Sequence, residues 1–210
     1  VIGCMTPLRD LELHEGLHAY THGAMKESLR HIVGVQFRNC ATVGGSIWGR
    51  FGFSDVLTMF LALDTEVELF KGGRVCLWDF VKMPKDRDIL VHIIVKKTPI
   101  KTAYLSQRNT KTDFPVLACC VSLSEDGMKA VYGARPSKAF LLEDEENILK
   151  DVQTLSEEEK KEAYEKFADY AARKVPTSGN MRGSAKYRTL LVKVLTRRAL
   201  EAVGGMSDEN

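Results

Sequence analysis

Residues 36–47 read QFRNCATVGGSI, and residues 48–55 continue WGRFGFSD. The stretch is rich in small residues and glycine and has no helical period, so an extended loop is expected. Gly44 and Gly45 lack Cβ atoms, which lets the backbone approach a ligand closely and turn successive N–H groups toward one point, a nest suited to phosphate oxygens. Thr42 and Ser46 flank the pair with hydroxyls that could donate to the same anion. Taken alone, a glycine pair is more often an ordinary turn than a ligand site. No GK[ST] follows it, and no G-x-G-x-x-G surrounds it, so neither a nucleotide P-loop nor a Rossmann site is indicated. Ser54 can cap the next segment, DVLTMFLALD, whose residues leave almost no polar face and predict a buried helix.

Upstream, Thr6-Pro7 predicts a short helix over 7–13, with the hydroxyl at the N-cap and proline at the first helical position. Met25, Leu29, Ile32 and Val33 recur at helical spacing and predict a helix over 24–33. Downstream, Thr65 to Phe70, a Lys71-Gly72-Gly73 turn and Arg74 to Leu77 read as a β-hairpin, and Asp88 to Val95 as a further strand. Past Lys96-Lys97-Thr98-Pro99 the pattern changes, which marks a boundary. Thr102 to Ser106, Val116 to Leu123 and Met128 to Gly133 predict three strands, the last two joined by the turn at 124–127. Two helices follow. The first opens on a Ser156/Glu159 capping box and buries Tyr164, Phe167, Ala168 and Ala171. The second, from about Ser184 to Val203, is expected to turn Tyr187, Leu191, Val194 and Leu195 inward, before a disordered GGMSDEN tail.

The 210 residues, 44% hydrophobic and 28% charged, suffice for a real core, since a chain of this size buries roughly 70% of its extended surface. A net charge of +2 gives no field suited to nucleic acid or anionic lipid. The longest apolar run, Val56 to Leu63, is far too short to span a membrane. Cys4, Cys40, Cys76, Cys119 and Cys120 are scattered without metal-binding spacing, which suits a reducing cytoplasm and places any iron–sulfur ligands on another chain. Cys119 and Cys120 should point to opposite faces of one strand in a structural role. His14, His18 and His22 would share one face of a continuous helix, but Gly16 and Thr21 weaken that helix, and no metal site is assigned. An apolar, strand-like start at Val1 without a preceding Met reads as a chain beginning partway through a larger fold.

Four motifs in order give these features a common meaning. VIGCMTPLRDLE, the RNCATVGG core at 38–45, Asp88-Ile89-Leu90 before a strand, and RGSAKYRTLLVKVLTRRAL at 182–200 resemble the FAD-binding medium subunit of the molybdenum hydroxylases, the xanthine dehydrogenase and carbon monoxide dehydrogenase family. The resemblance implies an α+β fold. Residues 1–98 would form the second lobe of a vanillyl-alcohol-oxidase-type FAD-binding domain, and 99–210 a C-terminal domain with a three-stranded antiparallel sheet and helices. It also implies FAD as the cofactor here, with a molybdopterin-binding large subunit and an iron–sulfur small subunit as partners in a hetero-oligomer. The chain would pass electrons between the partner's clusters and an acceptor, and no side chain need act as nucleophile or base. Carried over position by position, Thr42, Gly44, Gly45 and Ser46 would line the pyrophosphate and ribityl region, with Val43 and Gly49 also among the cofactor-binding residues. Asp55 would accept hydrogen bonds from FAD hydroxyls, Leu90 would pack on the isoalloxazine, and Ile32 would approach the flavin.

The departures from the family pattern matter equally. Ser46 stands where the family usually has Asn, Leu105 where xanthine dehydrogenases place a lysine, and bulky Trp48, Arg50 and Phe51 where small residues and a proline are usual. The family's first glycine-rich loop does not occur in this sequence. A non-catalytic assembly subunit that has lost FAD is therefore the rival expectation. A free-standing FAD oxidase would need covalent-flavin histidines or a substrate domain, which are not found.

Overall fold

The computed structural model describes residues 1–125 and 127–205. The chain opens with the two-residue strand β1 (Ile2–Gly3), followed by five short helices: α1 (Leu8–Leu13), α2 (Glu15–Tyr20), α3 (Ala24–Leu29), α4 (Val35–Cys40) and α5 (Val43–Trp48). Three of these, α2, α4 and α5, fall where no helix is expected from sequence. Six residues are under two turns, too few for a hydrophobic period to register. Helix α1 begins one residue later than expected: Pro7 occupies the N-cap and offers no side-chain capping bond. The Thr6 carbonyl accepts from Val43 N–H. Helix α3 stops at Leu29 rather than 33, because the carbonyls of Ile32 and Val33 turn to accept from the Arg38 guanidinium and Val33 adopts φ +47°.

The long buried helix α6 (Asp55–Ala62) starts where Ser54 Oγ accepts from Leu57 N–H, and all eight of its residues are buried. Strands β2 (Thr65–Leu69) and β3 (Gly73–Cys76) form the expected hairpin. Gly73 supplies the positive φ of its turn, +67°, at no steric cost. The Asp88 carboxylate accepts from the N–H groups of Lys71 and Gly72 and so fixes that turn from outside. Helix α7 (Leu77–Lys82) and strand β4 (Leu90–Val95) complete an antiparallel sheet of order β1-β4-β2-β3.

Strands β5 (Ile100–Gln107), β6 (Leu117–Ser124), β7 (Gly127–Gly133) and β8 (Phe140–Leu142) make a second antiparallel sheet in sequence order. The fourth strand was not expected. Its three residues are too few to show alternation. The turn between β6 and β7 includes Asp126, and the expected disorder of the C-terminal tail falls largely on 206–210; these residues lie outside those described.

The chain closes with α8 (Glu157–Lys174) and α9 (Ala185–Gly204). The Ser156/Glu159 capping box is complete in both directions, and the predicted stripe Tyr164, Phe167, Ala168 and Ala171 is buried. In α9, Leu191 and Leu195 are buried as expected. Tyr187 is not: it is exposed, because Arg188 takes the inward position. The buried Arg188 guanidinium donates to the carbonyls of Val116, Ser178 and Gly183 and to Asn180 Oδ1, which disperses its charge over four acceptors.

The second sheet is apolar on both faces. Tyr104, Ala118, Cys120 and Val131 join the core built around Phe60, Met59 and Ile47 of the first half. Cys119, Val121 and Tyr132 face Phe167, Tyr170 and Leu195 of the closing helices. Adjacent cysteines therefore serve different cores, as strand alternation requires. Burial pushes the Cys119 thiol up to about 12, which leaves it an inert packing residue.

Candidate functional site

The Gly44-Gly45 pair lies in the first turn of α5, and Thr42 caps that turn: its Oγ1 accepts from Gly45 N–H at 3.1 Å. The neighbouring donors are also taken. Val43 N–H donates to Thr6 O, Gly44 N–H to Cys4 O and Ser46 N–H to Thr42 O. The nest of free N–H groups expected from the sequence is therefore not formed, because the N-terminal segment and the cap consume its donors. Gly44 is needed for a different reason. A Cβ there would lie 2.6 Å from Cys4 O, so the glycine lets the N-terminal segment pack against α5. Gly45 meets only Thr42 Oγ1, at 3.3 Å, and its remaining side is open.

That open side faces a cavity of about 420 Å³, within the usual range of small-molecule sites. Leu8, Ile32, Ala41, Thr42, Gly45, Ser46 and Val56 supply one wall; Arg108, Thr112, Asp113 and Phe114 of the second half supply another. Of the nine residues expected at the site, the structure brings Ile32, Thr42, Gly45, Ser46 and Asp55 to this cavity. Val43 and Gly44 are buried beneath it, and Leu90 belongs to the core of the first half. Gly49 stands under the Phe51 ring, where a Cβ would come within 2.6 Å of the ring carbons.

Asp55 is at the cavity, yet it is 5% exposed and already engaged. Its Oδ1 accepts from Tyr104 Oη and, at 2.5 Å, from the Arg108 guanidinium. Burial pushes its pKa upward, against the pull of Arg108. Burial likewise raises that of Tyr104. An acceptor reading of Asp55 therefore meets two internal donors first, and the carboxylate ties α6 to β5 and the loop after it. Arg108 also donates to the Asp113 carbonyl, and Asp113 pairs with Arg182 at 3.1 Å.

Phe51, singled out from the sequence for its bulk, lines the cavity together with Phe37, Phe53 and Phe114, which were not singled out; all four remain 42–52% exposed. Phe51 stacks on Phe53 at 5.1 Å, and Phe53 meets the edge of Phe114 at 4.6 Å. Lys85 lies over Phe51 and Arg182 over Phe114, so cations close both ends of the column. The unusual bulk of 48–53 was the visible signal of this rim; its pairing with Phe114, sixty-one residues away from Phe53 in the chain, was not. His31 also reaches the cavity, and neither motif nor spacing marks it. A second cavity, about 550 Å³, lies at the junction around Tyr20, Lys97 and Gln153 and holds none of the motif residues. Among the described residues no group of three or more His, Cys, Asp or Glu side chains is placed to hold a metal ion.

A family model described as the FAD binding domain in molybdopterin dehydrogenase matches residues 1–98, and one described as the CO dehydrogenase flavoprotein C-terminal domain matches residues 102–203. The chain belongs to the molybdopterin dehydrogenase flavoproteins. Solved structures agree on the fold of this flavoprotein. Carbon monoxide dehydrogenase from Hydrogenophaga pseudoflava, in a form lacking the Mo-pyranopterin moiety of the molybdenum cofactor, superposes with a TM-score of 0.75 at 20% identity, over 95% of this chain and 73% of that one. Quinoline 2-oxidoreductase from Pseudomonas putida 86 gives 0.79 at 17% identity, over 96% and 73%. A curated relative, YgfM of Escherichia coli K12, an uncharacterized protein, is 30% identical over 149 residues. That match covers 69% of this chain and 54% of YgfM, so the flavoprotein chain spans about half the length of the curated relatives it matches. Among the described residues no helix is long and apolar enough to cross a membrane.

Proposed function

We propose that this flavoprotein is the FAD-binding electron-transfer subunit of a molybdenum-containing hydroxylase, taking electrons from iron–sulfur clusters on a small subunit and passing them to an acceptor. The molybdopterin would reside on a large subunit where substrate is oxidised, in a reducing compartment such as the cytoplasm. The observation that supports this reading is the cavity between the two halves. It gathers the family motif residues Thr42 and Gly45 with Ser46, Ile32 and Asp55 on a largely apolar surface.

These residues fit FAD by their chemistry. A flavin combines a broad apolar ring system with a polar chain, and the cavity offers apolar walls beside four hydroxyl side chains, Thr42, Ser46, Ser54 and Thr112. One buried nitrogen at its wall, His31 Nδ1, finds no hydrogen-bond partner among the described residues. Such an orphan costs about 1–3 kcal/mol unless a ligand supplies the partner. Ile32 and the phenylalanine rim would hold the ring and exclude water, Thr42 and Ser46 would orient the polar chain, and Arg108, fixed by Asp55, would set a positive charge at the wall. When bound, FAD supplies the redox chemistry, and the protein contributes position and electrostatics. We read 1–98 and 99–210 as its two domains.

The test is a flavin absorption spectrum of the protein purified with its native partners, together with an FAD titration. Bound flavin and co-purification with an iron–sulfur and a molybdopterin chain in fixed ratio are expected. Co-purification without flavin would favour an assembly subunit, for which the consumed α5 donors and the bulky rim are the structural basis.

A further inference from the structure

Part of the cavity wall is a turn that belongs to neither a helix nor a strand. After α3 ends, Ile32 and Val33 both line the cavity, and Ile32 also packs against the core of the first half. Ile32 N–H still donates to the Leu29 carbonyl at 2.9 Å, but Val33 leaves the helical path with φ +47°. Among the described residues Val33 is the one β-branched side chain with a positive φ. Such side chains resist that conformation, because their branched Cβ crowds the backbone.

The turn is held from α4. The Arg38 guanidinium divides its donors between two tasks: Nε and Nη2 face the Glu12 carboxylate at 2.8 and 3.3 Å, and Nη1 donates to the carbonyls of Ile32 and Val33 at 2.9 and 3.3 Å. Both side chains are buried, Arg38 4% and Glu12 6% exposed. Joining α1 to α4 does not by itself call for charges, since an apolar pair of similar volume often does as well or better. An apolar pair cannot bind two carbonyls. The third nitrogen of the fork thus does what no hydrophobic substitute could, and it ends on the two residues of the turn that line the cavity.

We propose that Arg38 is a positioning residue for the cofactor: anchored on Glu12, it holds the Ile32–Val33 turn in the conformation that walls the cavity. This deepens the FAD reading above and rests on it. Arg38 is not itself among the residues lining the cavity, so it acts through the turn. Without it, the strain at Val33 favours a relaxed turn, the wall-forming conformation becomes the minority, and apparent affinity falls with the fraction that remains competent. The usual cost of a non-glycine residue at positive φ makes that a weakening of about fivefold to a hundredfold.

The test is an FAD titration of the full-length protein, with visible circular dichroism of the bound flavin and urea denaturation of the same samples. Glu12→Leu combined with Arg38→Met replaces the ion pair by apolar volume. This double variant should unfold close to the wild-type midpoint, bind FAD about 5- to 100-fold more weakly, and give at saturation a flavin dichroism unlike that of wild type. Arg38→Lys keeps a charge for Glu12 but replaces the fork by a single point donor; it should weaken FAD likewise, and it decides the matter if the double variant does not fold. Val33→Gly supplies the rescue. Glycine takes a positive φ freely, so against a Val33→Gly reference the Arg38 replacement should weaken FAD clearly less. A folded double variant, or a folded Arg38→Lys protein, with wild-type FAD affinity and dichroism overturns the proposal. A loss of equal size in the Val33→Gly background shows that Arg38 does not act through the strained turn and overturns it as well. Wild-type protein that takes up no FAD removes the parent reading and this one with it, a result known before any variant is made.

Discussion

A methyl group on Gly44 would press on the Cys4 carbonyl and Cβ at 2.6 and 2.7 Å, whereas side chains on Gly45 extend into the cavity. Gly44→Ala should therefore cost stability, by about 1–3 kcal/mol as overpacking usually does. Gly45→Val should instead unfold near the wild-type midpoint but fail to retain FAD; denaturation curves and flavin content together separate the two, and full flavin in Gly45→Val would remove the loop from the site. Asp55 is the residue where structure changes the expectation most. Because it neutralises the nearly buried Arg108, Asp55→Ala leaves a buried cation alone and should cost about 3–5 kcal/mol of stability. In a double-mutant cycle, Asp55→Ala with Arg108→Met should cost clearly less than the sum of the two singles. If Asp55→Ala lowers only FAD affinity, its carboxylate is a ligand contact and not a tie.

The elements that could be read from the sequence are those whose signals are local and repeated. Helix α8 announces itself through Ser156, Glu159 and a four-residue apolar stripe, and the β2–β3 hairpin through its glycine turn. Within the first forty-eight residues α1 and α3 could be read, with ends shifted, but α2, α4 and α5 could not, because they are single turns and a half held by contacts distant in sequence. The clearest is Arg38 of α4, whose guanidinium binds Glu12 of α1 at 2.8 Å while both side chains are buried. Glu12 also pairs with Arg9 at 2.8 Å. Burial alone would raise the Glu12 pKa, but the bonds to Arg38 and Arg9 outweigh it and hold it below the usual glutamate value. A depressed carboxylate stabilises the fold above its unfolded-state pKa and loses that contribution as pH falls through the folded value. Stability measured by urea should accordingly fall as pH drops below about 4.5, and Glu12→Gln should flatten that part of the profile. An unchanged slope would mean that the pair does not join α1 to α4 energetically. The site follows the same division: Thr42, Gly45 and Ser46 were legible as a motif, while His31, Arg108 and Phe114 reach the cavity only through tertiary packing.

At the scale of the molecule, the two family segments meet across the second sheet, whose strands all come from the second half. Tyr104, Ala118, Cys120 and Val131 close the core of the first half from strands of the second. A polypeptide cut at the linker would leave the core of the first half without the strands that close it and uncover the face of the second sheet that packs there. Residues 1–98 and 99–210 expressed separately should each stay unfolded or aggregate, and mixing them during refolding should restore one soluble complex, seen as a single gel-filtration peak with native circular dichroism. Two independently folded fragments would contradict the shared core. In engineering terms, the middle sheet makes this chain a candidate for split-protein reassembly, with the return of flavin colour as a direct readout that the halves have found each other.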